Sequence, residues 1–187
     1  GKTTEAIALA QNLAGLGKKV LLIEGDIRRR TFSQYFDTQP KGGVIAALSG
    51  ETPIHEVVFH DERLGADVLM GEKSRVNAAD LFSSEKFREF MAKAREVYDF
   101  VIIDTPPVLV VPDARVIGQH VDAIIFAVAW DKTQRGQVSA ALREFDAVNL
   151  RITGLVLSQI DPKGMRRYGY GGKYGAYASY GQGYYEA

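Results

Sequence analysis

Short, continuous apolar runs alternate along this chain with stretches of helical period. From Thr4 to Leu16, Ile7, Ala10, Leu13 and Ala14 share one face at three- and four-residue spacing, which predicts a helix. Gly17 is its expected stop, followed by Lys18 and Lys19. VLLIEGD, Val20 to Asp26, then reads as a strand buried on both faces. Residues 28–64 are broken by Gly42, Gly43, Gly50 and Pro53 into short helical pieces, of which VIAALSG is the clearest. Asp67 to Met70 predicts a further short strand. Ser83 or Ser84 is positioned to cap a helix reaching Tyr98, with Phe87, Phe90, Met91, Ala94, Val97 and Tyr98 as its apolar stripe. FVIID, Phe100 to Asp104, is the next apolar strand and again ends in acid. Pro106, Pro107 and Pro112 mark a loop before a short helix, Asp113 to Gln119. AIIFAVAW predicts a strand over 123–130, Val138, Leu142, Phe145 and Val148 a helix over 133–148, and ITGLVLSQI a last strand over 152–160.

Helices between strands that are apolar throughout point to an α/β fold: a doubly wound, mostly parallel sheet covered on both faces. The expected division is a folded unit over 1–162 and a low-complexity, tyrosine-rich tail over 163–187. Composition changes this little. Charged residues make up 25%, hydrophobic residues 46% and the formal net charge is zero, which argues against broad nucleic-acid binding. No cysteine is present, so disulfide and thiol chemistry are excluded. No apolar run approaches the roughly 18 residues that span a bilayer.

In such a sheet, ligands sit outside the carboxyl ends of the strands. Asp26 and Asp104 end two of them and therefore face one crevice. GKTT opens the first helix, and Gly1, Lys2 and Thr3 match the last three positions of the phosphate-binding loop G-x-x-x-x-G-K-[ST]. Lysine there reaches the β- and γ-phosphates, the threonine hydroxyl binds magnesium, and the amides from Gly1 to Thr4 hold phosphate oxygens. FVIID has the Walker B form, in which the closing acid, Asp104, holds magnesium. The loop's first five residues and the strand before it are not in the chain. The expectation is that the natural protein continues upstream, and that the sheet otherwise has an open seam.

VLLIEGDIRRR resembles the Walker A′ motif of the bacterial tyrosine kinases, three apolar residues followed by D-x-D-x-R. These kinases are related to the ParA/MinD-type P-loop ATPases. The resemblance continues through NAADLFSSEKF, YDFVIIDTPPV, PDA, ITGLVLSQID and the tyrosine-rich end. It is strongest to the cytoplasmic kinase domain of exopolysaccharide and capsule chain-length regulators. It implies ATP and Mg²⁺ as cofactors, with Lys2 on phosphate and Thr3 and Asp104 on magnesium. Asp26 matches the second A′ acid and Arg28 the A′ arginine. Glu24 stands where the family has its first Asp, an acid thought to orient magnesium or to receive the tyrosine proton. Glutamate keeps the charge but adds a methylene. The resemblance also implies a ring-like homo-oligomer, a two-pass membrane chain-length regulator (fused upstream or separate) and a cognate phosphotyrosine phosphatase. The implied location is the cytoplasmic face of the bacterial inner membrane.

The terminal RRYGYGGKYGAYASYGQGYYEA holds Tyr168, Tyr170, Tyr174, Tyr177, Tyr180, Tyr184 and Tyr185, leaving only Tyr35 and Tyr98 elsewhere. Disordered tails are ordinarily poor in aromatics. A base-stacking surface for single strands is one reading, with Arg166, Arg167 and Lys173 alongside, but no RGG or RNP-like pattern accompanies it. As a phosphoacceptor tail, glycine lets the segment enter a catalytic site in extended form. By resemblance, that site belongs to a neighbouring subunit. The competing readings of the whole chain are a ParA/MinD-like ATPase that positions cargo, and a non-catalytic regulator that keeps only the fold.

Overall fold

A computed structural model describes residues 1–161 and Gly164, apart from residues 39, 51, 74 and 75. The tyrosine-rich tail, and with it the boundary expected at 162/163, lies outside the described residues. The chain forms α1 (Lys2–Gly15), β1 (Val20–Glu24), a 3₁₀ turn (Thr31–Gln34), α2 (Val44–Ser49), α3 (Ile54–Val57), β2 (Val58–Asp61) and β3 (Ala66–Leu69). It continues with α4 (Ala78–Ser83), α5 (Glu85–Val97), β4 (Phe100–Asp104), α6 (Asp113–Gly118), β5 (Ile125–Ala129), α7 (Arg135–Asp146) and β6 (Gly154–Ser158).

β1 is the axis of the molecule. It lies between β3 and β4 in a sheet ordered β2-β3-β1-β4, parallel to both neighbours. All five of its residues are buried. Successive strand side chains point to opposite faces. Leu21 and Ile23 accordingly pack on one side with Val44, Leu48, Phe82, Phe87, Met91 and Ile117. Val20 and Leu22 pack on the other with Ala10 of α1, Phe32, Phe36, Val68 and Met70. A strand with a core on each side has no position where a polar residue is free of cost, which is why VLLI is unbroken. Truncation of Leu22 to alanine at such a site costs on the order of 2–5 kcal/mol.

Local signals set the element ends. Gly17 adopts φ +76°, its N–H donates to Ala14 at 2.8 Å and the Lys18 N–H donates to Leu13 at 3.1 Å, closing α1 in a Schellman motif. Of the two candidate serines, Ser84 caps α5: its hydroxyl oxygen accepts from the Phe87 amide at 3.2 Å.

The structure departs from the sequence reading in three places. β2 is an added edge strand, antiparallel to β3, that was expected to be loop or helix. It has no continuous apolar run, because only one of its flanks is paired. α4, inside NAADLFSSEKF, was expected as neither helix nor strand; Asn77 caps it by accepting from the Ala79 amide at 3.1 Å. Finally, β5 and β6 pair with each other in parallel but with none of the other described strands. β4 packs Val101 and Ile103 on one core and Ile102 on the other, whereas β6 leaves one face uncovered. Phe100, Ile125, Leu155 and Leu157 are all exposed. The outer edges of β4 and β5 carry no ladder among the described residues. No described helix is long and apolar enough to cross a membrane.

Candidate phosphate-binding crevice

β1 and β4 run parallel with Glu24 opposite Asp104, so both acidic strand ends reach the same rim of the sheet. The turn after β1 lies tightly against β4. Gly25 donates its N–H to the Asp104 carbonyl at 2.7 Å. A Cβ on Gly25 would stand 2.8 Å from that carbonyl oxygen, so only glycine allows the approach. Asp26 is buried just beyond, and its Oδ1 accepts the Arg29 amide at 3.1 Å.

The start of α1 meets this rim. Thr3 donates its hydroxyl to Asp104 Oδ2 at 2.6 Å, linking residues 101 positions apart. Thr31 Oγ1 lies 3.4 Å from the same hydroxyl, and Tyr35 Oη lies 3.4 Å from Thr4 Oγ1. Lys2 is close enough to act on Asp104 electrostatically. Burial pushes the Asp104 carboxyl above its ordinary range, opposed by the Thr3 hydrogen bond and Lys2 and reinforced by Asp26.

Glu24 is fully buried, and both its oxygens are engaged. Oε1 accepts the Phe32 amide at 2.7 Å and Oε2 the Gly71 amide at 2.8 Å. Its side chain thus ties the end of β1 to the 3₁₀ turn on one side and to the segment after β3 on the other. Burial raises its pKa, the two amide bonds oppose that, and Asp104 and Asp26 add to it. Arg28 turns to Asp113 at the start of α6, with Nε 3.0 Å from Oδ2 and Nη2 3.4 Å from Oδ1.

Of the residues singled out from sequence, Gly1, Lys2, Thr3, Thr4, Glu24, Asp26 and Asp104 gather at this rim, with Arg28 at its edge. The seven tail tyrosines fall outside the described residues. Thr31, Tyr35 and Asp113 were missed. Thr31 and Tyr35 reach the rim only through the 3₁₀ turn, which carries no motif. Asp113 had a signal, an acid directly after Pro112 at a helix start, but that pattern is common to helix termini.

The fit of a magnesium ion can be read from the donors. A hydroxyl and a carboxylate already lie in contact, and two further buried acids stand beside them with Lys2 as the nearby side-chain cation. Among the described residues, no group of three or more His, Cys, Asp or Glu could hold a metal by itself. Magnesium is ordinarily held by one or two carboxylates and completes its shell with water and phosphate oxygens.

A family model described as an AAA domain matches residues 1–149. The tyrosine-protein kinase YwqD of Bacillus subtilis is 31% identical over 172 residues, covering 92% of this chain and 73% of that protein. The chain belongs to the bacterial tyrosine kinase family. The tyrosine-protein kinase ptk of Acinetobacter johnsonii is 34% identical over 160 residues, covering 86% of this chain and 22% of that protein. The chain spans only about a quarter of the length of such relatives. Among solved structures, the kinase domain of VpsO superposes with a TM-score of 0.81 at 33% identity, over 86% of this chain and 79% of that one. The cell-division protein MinD of Aquifex aeolicus superposes with a TM-score of 0.67 at 21% identity, covering 91% of this chain and 68% of that one, a likeness of fold. The fold is that of the P-loop nucleotide-binding proteins.

Proposed function

We propose that this chain is the catalytic part of an ATP-dependent protein-tyrosine kinase that phosphorylates a C-terminal tyrosine cluster on a neighbouring copy. The observation that carries this is the 2.6 Å contact between Thr3 and Asp104, which joins the helix opened by GKT to the end of the Walker B strand beside the A′ acids. In this reading, Lys2 and the amides of Gly1 to Thr4 hold ATP phosphates. Thr3 and Asp104 hold magnesium, which when bound neutralises charge on the transferred phosphoryl group. Arg28 contacts phosphate from the edge. The tyrosine oxygen bonds to the γ-phosphorus, the bond to the β–γ bridging oxygen breaks, and ADP leaves. The phenol, with a pKa near 10, loses its proton to a carboxylate. Asp26 is the proposed acceptor, because its Oδ2 has no hydrogen-bond partner among the described residues. Glu24 adds charge to this group and holds its frame.

The substrate tail is Tyr168, Tyr170, Tyr174, Tyr177, Tyr180, Tyr184 and Tyr185. Each phosphate adds roughly −1.5 to −2 charge, so a modified ring of subunits repels itself. That links tail phosphorylation to assembly and, through a membrane chain-length regulator at the inner membrane, to exopolysaccharide export. A cognate phosphatase resets the cycle. A second reading is a ParA/MinD-like ATPase that positions cargo without protein kinase activity.

The test uses the full-length protein. Labelled phosphate is expected on tyrosine with Mg²⁺ present, lost on chelation and in Lys2→Met, and nearly lost when all seven tail tyrosines become Phe. ATP hydrolysis with no phosphotyrosine would favour the ATPase. Undiminished labelling of the seven-Phe variant would remove the tail as main acceptor.

A further inference from the structure

Arg28 and Asp113 form a pair with unequal surroundings. The Asp113 side chain is 1% exposed, and the Arg28 side chain 47%. A carboxylate taken wholly out of water is costly unless it is paired and hydrogen-bonded. Here the compensation comes from a guanidinium that itself stays half in solvent, at the edge of the crevice. The carboxylate takes the Nε and Nη2 side of the fork, at 3.0 and 3.4 Å. The Nη1 side of the planar group remains for another partner. Arg29 and Arg30, next in sequence, are exposed, and neither side chain has a partner among the described residues. Of the three adjacent arginines, only Arg28 is therefore held in a set orientation.

The pair also joins two segments that carry site residues. Arg28 lies on the turn after β1, two residues beyond Asp26. Asp113 lies on the connection after β4, nine residues beyond Asp104. These segments already meet at the 2.7 Å hydrogen bond from Gly25 to Asp104. The salt bridge is a second clasp farther out. Asp113 is the first residue of α6, whose Ala114 and Ile117 are buried behind it, so its position is set by packing rather than by solvent.

We propose that Asp113 is a positioning residue for phosphoryl transfer: it fixes the Arg28 guanidinium so that the Nη1 edge faces the phosphate oxygens of the bound nucleotide. This rests on the kinase reading above, in which Arg28 touches phosphate and Asp113 acts only through it. A prealigned guanidinium loses less freedom on meeting phosphate, and misplacement of such a group slows the chemical step more than it weakens ground-state binding.

The experiment is a steady-state double-mutant cycle on the full-length protein, reading both tail phosphorylation and ADP release. Asp113→Asn keeps shape but releases Arg28. It is expected to lower kcat about tenfold, with KM for ATP changed less than about threefold. Arg28→Ala is expected to lower kcat at least as much. The double variant should be no slower than Arg28→Ala alone, because the aspartate has nothing left to orient. Arg28→Lys, which keeps the charge but not the fork, should resemble Arg28→Ala. If Asp113→Asn does not fold, the pair Arg28→Gln with Asp113→Asn removes both charges together. That pair should fold with a Tm near wild type and a kcat matching Arg28→Gln alone. Multiplying losses in the cycle, a paired Arg28→Gln/Asp113→Asn variant slower than Arg28→Gln alone, or a folded Asp113→Asn with kcat within about twofold of wild type, would overturn the proposal. If the protein hydrolyses ATP without labelling tyrosine, the kinase reading falls, and the cycle is still read on ADP release.

Discussion

At the scale of single residues, Glu24 shows how buried amides can occupy both oxygens of an acid. Its neighbours on the rim leave acceptor capacity open, while Glu24 commits an oxygen to each of two buried amides, those of Phe32 and Gly71. Gly71 suits this contact because a Cβ there would approach Glu24 Oε2 to 3.2 Å. Glu24→Asp keeps the charge but shortens the reach. One of the two amides should then lose its partner, at a cost of about 1–3 kcal/mol. The expected result is a lower Tm by calorimetry, with the Mg²⁺ requirement for labelling little changed. An unchanged Tm with a shifted Mg²⁺ requirement would assign Glu24 to the metal instead of to the frame. The identity of this residue was legible in VLLIEGD, but its hydrogen bonds were not. They come from segments 8 and 47 residues away.

At the scale of elements, the helices that hold the sheet have defined ends. α5 presents Phe87, Met91 and Ala94 to the core and begins at the Ser84 cap. Ser84→Ala should destabilise the protein by about 1 kcal/mol, measured as a shift in denaturant midpoint at constant m-value. The same helix meets the segment just after α6. His120 meets the Phe87 ring edge-on, with centroids 5.3 Å apart, and burial followed by the nearby Arg88 lowers its pKa. The folded state therefore resists protonating His120, whereas the unfolded chain takes up the proton near the ordinary value. Its stabilising contribution is present above that value, 6.5, and is lost as pH falls through it toward the depressed folded value. The expected outcome is a Tm that falls between about pH 7.5 and pH 5.5, with a shallower fall in His120→Gln. Equal slopes in the two proteins would remove His120 as the cause. α5 was legible because its apolar stripe and its cap agree. β2 was not, since an edge strand paired on one flank needs no apolar run.

At the scale of the whole molecule, two cores meet across β1, and the crevice forms where β1 and β4 end side by side. The connections after those strands can differ widely in sequence as long as the ends stay level. The kinase domain of VpsO and MinD both superpose on this fold. This arrangement also locates the tests. Variants in the cores and at Glu24 report on stability, whereas variants at Lys2 and Arg28 report on chemistry. Only a protein that carries the tail can connect the two.

The sequence by itself determined the class of fold, the order of the main strands and the residue types at the crevice. Periodicity, capping and short phosphate-binding motifs are local, so a linear reading captures them. Tertiary structure alone decided which acids share a rim, that Glu24 is spent on two amides, and that Arg28 leans on Asp113. It also decided that β5 and β6 form a ladder separate from the other described strands. Each of these depends on contacts between distant segments, and burial rather than composition sets how a charge behaves there.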